Sequence, residues 1–164
     1  MSTYDLEEQE QLASLKAWWR QHGGLIVSLI SAVALVFAGW NAWTWYQRAQ
    51  SAKAAAQYEE LHKFASAHDL KGIKDTAGVI LEQFPRTSYA AMAALISARE
   101  HHLAGDRKTA RAQLEWAKNN ASSADLRAIA VVRLASVMID DGAAEEAVKL
   151  LDEKRQGGFD ALLT

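Results

Sequence analysis

The sequence predicts an all-α protein, with one N-terminal transmembrane helix followed by a solenoid of helical hairpins. Three observations predict it. An uncharged, largely apolar run covers residues 23–47. The 164-residue chain holds one proline and nine glycines, and the stretch after the run is rich in alanine, the best helix former. Small residues, glycines and leucines then recur at matching offsets as far as Leu151. Three parts are expected: a tail at 1–22, the membrane helix at 23–47 and a repeat domain at 48–164.

The apolar run reads GGLIVSLISAVALVFAGWNAWTWYQ. At about 1.5 Å per residue a helix of this length reaches roughly 35 Å, against a hydrocarbon core of about 30 Å. Leu25, Ile26, Val27, Leu29, Ile30, Val33, Leu35, Val36 and Phe37 fall on every side of that helix. A helix apolar all round belongs in lipid or in a deep core. Trp18 and Trp19 precede the run, and Trp40, Trp43, Trp45 and Tyr46 close it. Every tryptophan except Trp116 therefore stands near an expected membrane–water interface, where an amphipathic ring is most stable. Ala54-Ala55-Ala56 resembles a cleavage site, but the apolar run is too long and ends too far from it. The segment before the run also opens acidic, so the run is expected to be kept as an anchor. Lys16 and Arg20 on one side and Arg48 and Lys53 on the other leave the orientation open.

In the tail, Ser2 or Thr3 suits the cap of a helix beginning near Asp5. Leu6, Leu12, Leu15 and Trp19 form a weak apolar stripe, suited either to a helix at headgroup level or to a docking tail. Gly23-Gly24 marks a bend where the chain enters the bilayer. Residues 48–68 contain neither proline nor glycine, so the membrane helix is expected to run on as the first helix of the repeat domain.

Composition narrows the function. A net charge of −2, from 18 basic and 20 acidic residues, provides no basic field for nucleic acid. The absence of cysteine excludes disulfides and thiolate metal sites. His101-His102 diverge by about 100° on a helix, and His62 and His68 do not share a face in the HExxH manner. No GxSxG elbow or phosphate loop is present. No catalytic, cofactor-binding or metal-binding residue is assigned, and no cofactor is expected.

The repeat is read by aligning Gly72, Gly105 and Gly142 as helix-ending glycines. Seven residues before them stand Ala65, Ala98 and Ala135; five after, Ala77, Ala110 and Ala147; nine after, Leu81, Leu114 and Leu151. Small residues let paired helices approach, leucine fills between them, and glycine accepts the positive φ of a sharp helix end. Thr87, Ser88 and Asp125 suit helix starts. In this register the last copy follows a small insertion near residues 119–125, and His68 and His101 hold equivalent places on neighbouring first helices.

These hairpins resemble the tetratricopeptide family. The family's tryptophan is replaced by Leu61, Ala94 and Val131, its tyrosine by His68, His101 and Met138, and Pro85 falls earlier than the family's terminal proline. The tail YDLEEQEQLASLKAWWRQHG, followed at once by the anchor and AGW, is more specific. With it the whole chain resembles the YfgM-type ancillary subunits of the bacterial SecYEG translocon. That resemblance implies a single-pass inner-membrane protein with a cytoplasmic N-terminus and a periplasmic repeat domain. It implies an adaptor rather than an enzyme, working beside SecYEG, a membrane-anchored periplasmic chaperone of the PpiD type and unfolded client chains. It also implies a further repeat, which Phe159, Leu162 and Leu163 would begin.

By the same resemblance the concave groove is lined by Met92, Leu95, Arg99 and His102 in the second unit and Ile129, Val132, Ser136 and Ile139 in the third, with Glu59, His62 and Ser66 in the first. The stretch LRAIAVVRLASVMI, residues 126–139, is apolar on nearly every face, so it is either wholly buried or presents a face to a partner. The groove is open to a partner segment or to further C-terminal helices. A structural subunit held mainly through its transmembrane helix, with Gly39 allowing close packing, is the alternative.

Overall fold

The computed structural model describes residues 4–156; Ser2, Thr3, Phe159, Leu162 and Leu163 lie outside them, as does the Leu6 side chain. The described residues form six helices: α1 (Tyr4–Ser66), α2 (Leu70–Gln83), α3 (Ser88–Leu103), α4 (Arg107–Asn120), α5 (Ala124–Asp140) and α6 (Ala144–Gln156). Two compact units divide the chain, Met1–Gln47 and Arg48–Thr164.

The first unit holds the apolar run, in the one described helix long and apolar enough to cross a membrane. Its large side chains, from Leu25 through Phe37 to Trp40, Trp43, Trp45 and Tyr46, are exposed except the partly buried Ile26, as are Trp18 and Trp19. Apolar surface left so bare is at its lowest free energy in lipid. Gly23-Gly24 does not interrupt the helix, contrary to the expected bend. A Cβ on Gly23 would sit 3.2 Å from the Trp19 indole, so this glycine makes room for the ring one turn earlier. The Gly24 carbonyl accepts the Ser28 hydroxyl at 2.8 Å.

In the second unit the helices pair as α1–α2, α3–α4 and α5–α6. Two of the hairpin turns are those read from glycine: Gly105 has φ +82° and Gly142 φ +80°. Gly72 does not end a helix; it lies inside α2. The left-handed position between α1 and α2 is held by His68, at φ 53°. Histidine tolerates that region better than most residues, and His68 Nδ1 meets the buried Glu100 carboxylate at 3.1 Å, which offsets the strain.

The repeat interval is therefore equal, 37 residues from 68 to 105 and 37 from 105 to 142. No insertion precedes the third unit. In the corrected register Ala54, Ala91 and Ala128 align, as do Leu61, Ala98 and Ala135, and Ile73, Ala110 and Ala147; all nine are buried. His101 aligns with Phe64 and not with His68, which sits in a turn. The core divides accordingly. Leu61 packs with Ile73, Ala77, Ile80, Ala90 and Ala93. Leu95, Ala98, Leu114, Leu134, Met138 and Ala147 build the later cluster.

Local signals fix the helix starts. Asp69 accepts from the Lys71 and Gly72 amides at 3.1 Å. The Thr87 hydroxyl donates to the Phe84 carbonyl at 2.8 Å and accepts from the Ala90 amide at 3.4 Å. Ser88 is the first residue of α3, while α5 starts after Ser123 and carries Asp125 in its first turn. Pro85 stands in the connection between α2 and α3.

Gly72 has a packing reason instead of a turn. A methyl group there would lie 2.6 Å from Phe64 Cγ, in the seam between α1 and α2. Overpacking costs about 1–3 kcal/mol, more than the ~1 kcal/mol that alanine gains over glycine in a helix. Gly72→Ala is expected to lower the urea midpoint, and Phe64→Leu/Gly72→Ala to be more stable than the two single losses summed.

Candidate partner-binding groove

The first helices of the three hairpins, α1, α3 and α5, carry every residue assigned to the groove. With the interval of 37, the α3 residues Met92, Leu95, Arg99 and His102 align with Ile129, Val132, Ser136 and Ile139 of α5 as expected. In α1 the matching residues are Ala55, Tyr58, His62 and Ala65, one turn earlier than Glu59, His62 and Ser66. Tyr58 stands edge-on to His62, ring centroids 4.7 Å apart, and 5.4 Å from Tyr89. Burial first, then the Glu59 charge and Tyr89, push its phenol above the ordinary tyrosine value, so it stays neutral.

Exposure along the groove is uneven. Leu95 is 6% exposed and belongs to the core, whereas its α5 counterpart Val132 is 50% exposed. Ile129 and Ile139 are exposed beside Val132, while Ala128, Val131, Leu134, Ala135 and Met138 are buried. Thus α5 leaves Ile129, Val132 and Ile139 bare beside the exposed Arg133 and Ser136, and buries most of its other apolar side chains. Met92 and His102 are partly buried, and Arg99 and Ser136 are exposed.

Arg99, His102 and Ser136 come together around a pocket of about 300 Å³ between α3 and α5. Its floor is apolar, from Ala98, Val137 and Leu114 of α4. Arg133 completes the rim. This arginine was not among the groove residues read from sequence, because its α3 counterpart Ile96 lies off the groove columns. The available signal was the second of two arginines, Arg127 and Arg133, set in the middle of the apolar stretch of α5.

Polar side chains meet around α3. His102 Nε2 lies 3.3 Å from Asp140 of α5, and Arg99 Nη1 is 3.6 Å from Glu100, which also holds His68. His101 is buried with Nδ1 3.3 Å from Asp106 Oδ2. These contacts tie α3 to the α1–α2 turn, to the start of α4 and to α5. On the second helices, Arg111 bonds Glu115 at 3.1 Å and Glu146 of α6 at 3.4 Å; the Glu115 bond, more than the Glu146 one, raises its pKa.

Asp106 caps α4 by accepting from the Thr109 amide at 3.1 Å. Its bonds to Thr109, with smaller help from His101 and Lys74, hold its carboxyl below the ordinary aspartate value. A lowered folded pKa contributes stability above the unfolded value, near 4, and that contribution is lost as acid titrates the folded group. The stability advantage of the native chain over Asp106→Asn is therefore expected to shrink between pH 5 and about pH 3, read from urea midpoints.

The paired helices, with their turns at an equal interval, accord with the comparison to known families. A family profile described as a tetratricopeptide repeat-like domain matches residues 16–164. The chain belongs to the tetratricopeptide repeat-like family, as a YfgM-type member. It is similar to a Haemophilus influenzae protein named an ancillary SecYEG translocon subunit, with 30% identity over 96% of this chain and 77% of the relative. Proteins of the same name from Aggregatibacter actinomycetemcomitans and Escherichia coli are 29% and 26% identical, over 96% and 99% of this chain and 77% and 78% of theirs. No solved structure gives a significant match.

Proposed function

We propose that this protein is a non-catalytic adaptor of the SecYEG translocon, anchored in the bacterial inner membrane by residues 23–47. Its N-terminus lies in the cytoplasm and its repeat domain in the periplasm. There the groove of α3 and α5 holds a membrane-anchored chaperone of the PpiD type or an emerging client chain. The observation that carries the reading is the joining, in one chain, of a bare membrane-length apolar helix to a repeat surface with exposed Ile129, Val132 and Ile139. The names of the relatives support the translocon as its setting. Tethering confines partners to one surface and raises their effective concentration.

A second reading makes the anchor the binding element. Gly39 favours it, since a Cβ there would meet nothing within 4 Å, leaving space for the backbone of another helix. Photoreactive residues at position 39 and at position 132, irradiated in native membranes, separate the two. The adaptor reading expects translocon adducts from the anchor and chaperone or client adducts from position 132. Translocon adducts from position 39 alone would favour the second reading, and no translocon adduct from either would overturn both.

A further inference from the structure

We propose that the pocket between α3 and α5 binds an acidic, apolar segment of a partner polypeptide through a side-chain carboxylate held by Arg133 and Arg99. The proposal rests on the adaptor reading in treating this groove as a contact surface, and adds the chemistry that it selects.

The pocket combines two features. Ala98, Leu114 and Val137 form a floor that gains by covering an apolar side chain. The rim is cationic and incompletely neutralised. His102 Nε2 lies 3.3 Å from Asp140, and Arg99 leans on Glu100, which is itself buried and shared with His68. Arg133 makes no hydrogen bond or ion pair with any described residue. Among the described residues, one guanidinium is therefore left without a counter-charge at the mouth of the apolar pocket, with the exposed Arg99 on the same rim.

A guanidinium offers a planar fork of donors matched to a carboxylate, and such charge-assisted bonds are stronger than neutral ones. Exposed Ile129 and Val132 continue the apolar surface along α5 beside Arg133. An extended segment with a glutamate flanked by leucines satisfies both parts: carboxylate on the arginines, aliphatic groups on the floor and on α5. A basic segment meets repulsion, and a purely apolar one leaves Arg133 unpaired.

The test uses the full chain in detergent micelles and a fluorescent peptide, acetyl-Gly-Leu-Glu-Leu-Gly-amide, followed by anisotropy. Replacing its glutamate by glutamine is expected to weaken binding at least about 10-fold, the lower end for a charge-assisted bond. Arg133→Ala is expected to do the same, Arg133→Lys to restore part of the loss, and Lys108→Ala on α4 to change nothing. Arg133 bonds to no other described element, so its variants are expected to keep the thermal transition. Equal binding of the glutamate and glutamine peptides, indifference to Arg133→Ala, or no binding at millimolar peptide overturns the proposal. If any of these occurs while position 132 still captures chaperone or client in membranes, the adaptor reading stands and the carboxylate site alone falls.

Discussion

The double variant Val33→Asp/Val36→Asp is expected to leave the alkali-resistant membrane fraction almost completely, while each single variant is lost only in part. The nine large apolar side chains from Leu25 to Phe37 each favour insertion by about 0.3–0.6 kcal/mol, so together they supply roughly 4 kcal/mol. One aspartate near the middle costs about 2.5–3.5 kcal/mol and also removes a valine, which brings the balance close to zero. Two aspartates cost roughly 6–8 kcal/mol and reverse it. The exposure of Val33 and Val36 means that no other part of the described chain shelters the new charges. Retention of the double variant after alkaline extraction would show that another segment provides the anchorage.

Leu95→Ala and Val132→Ala, at equivalent repeat positions, are expected to differ sharply. Leu95 is enclosed with Ala94, Ala98, Leu134 and Met138, and its truncation leaves a cavity. A buried leucine-to-alanine change costs about 2–5 kcal/mol, enough here to lower the melting transition of the repeat domain by roughly 10 °C. Val132 is half exposed, so its truncation removes little buried area and is expected to cost under about 1 kcal/mol. Only Val132→Ala is therefore a clean probe of partner capture; a loss of capture in Leu95→Ala would be confounded by unfolding. Circular dichroism melts of the full chain in detergent check both.

The contrast between these residues shows what the sequence could convey. Composition and the small-residue pattern were enough for the helical hairpins, because Gly105 and Gly142 are required by their positive φ and the residues around them are spaced by it. The first hairpin defeated that logic. Its left-handed residue is a histidine, held by a carboxylate 32 positions along the chain, and the nearest glycine sits one turn on for the sake of Phe64. Aligning on Gly72 slipped the first copy by four residues. One helical turn keeps the same face inward, so the fold was legible while the residues chosen on α1 stand one turn off the columns of α3 and α5. The residues chosen on α3 and α5 share repeat columns, but exposure depends on what lies beside each helix. That is why Leu95 is enclosed, Val132 is bare, and Arg133 reaches the rim from outside the repeat pattern.

The constant 37-residue interval restricts where this family member tolerates length change. Adding or deleting one residue within α3 or α4 turns the following side chains by about 100° and carries Ala98 or Ala110 off its seam. The short connections at 84–87 and 121–123 impose no such phase. Natural indels in this domain should accordingly gather at those two joints, leaving the hairpins themselves of nearly fixed size.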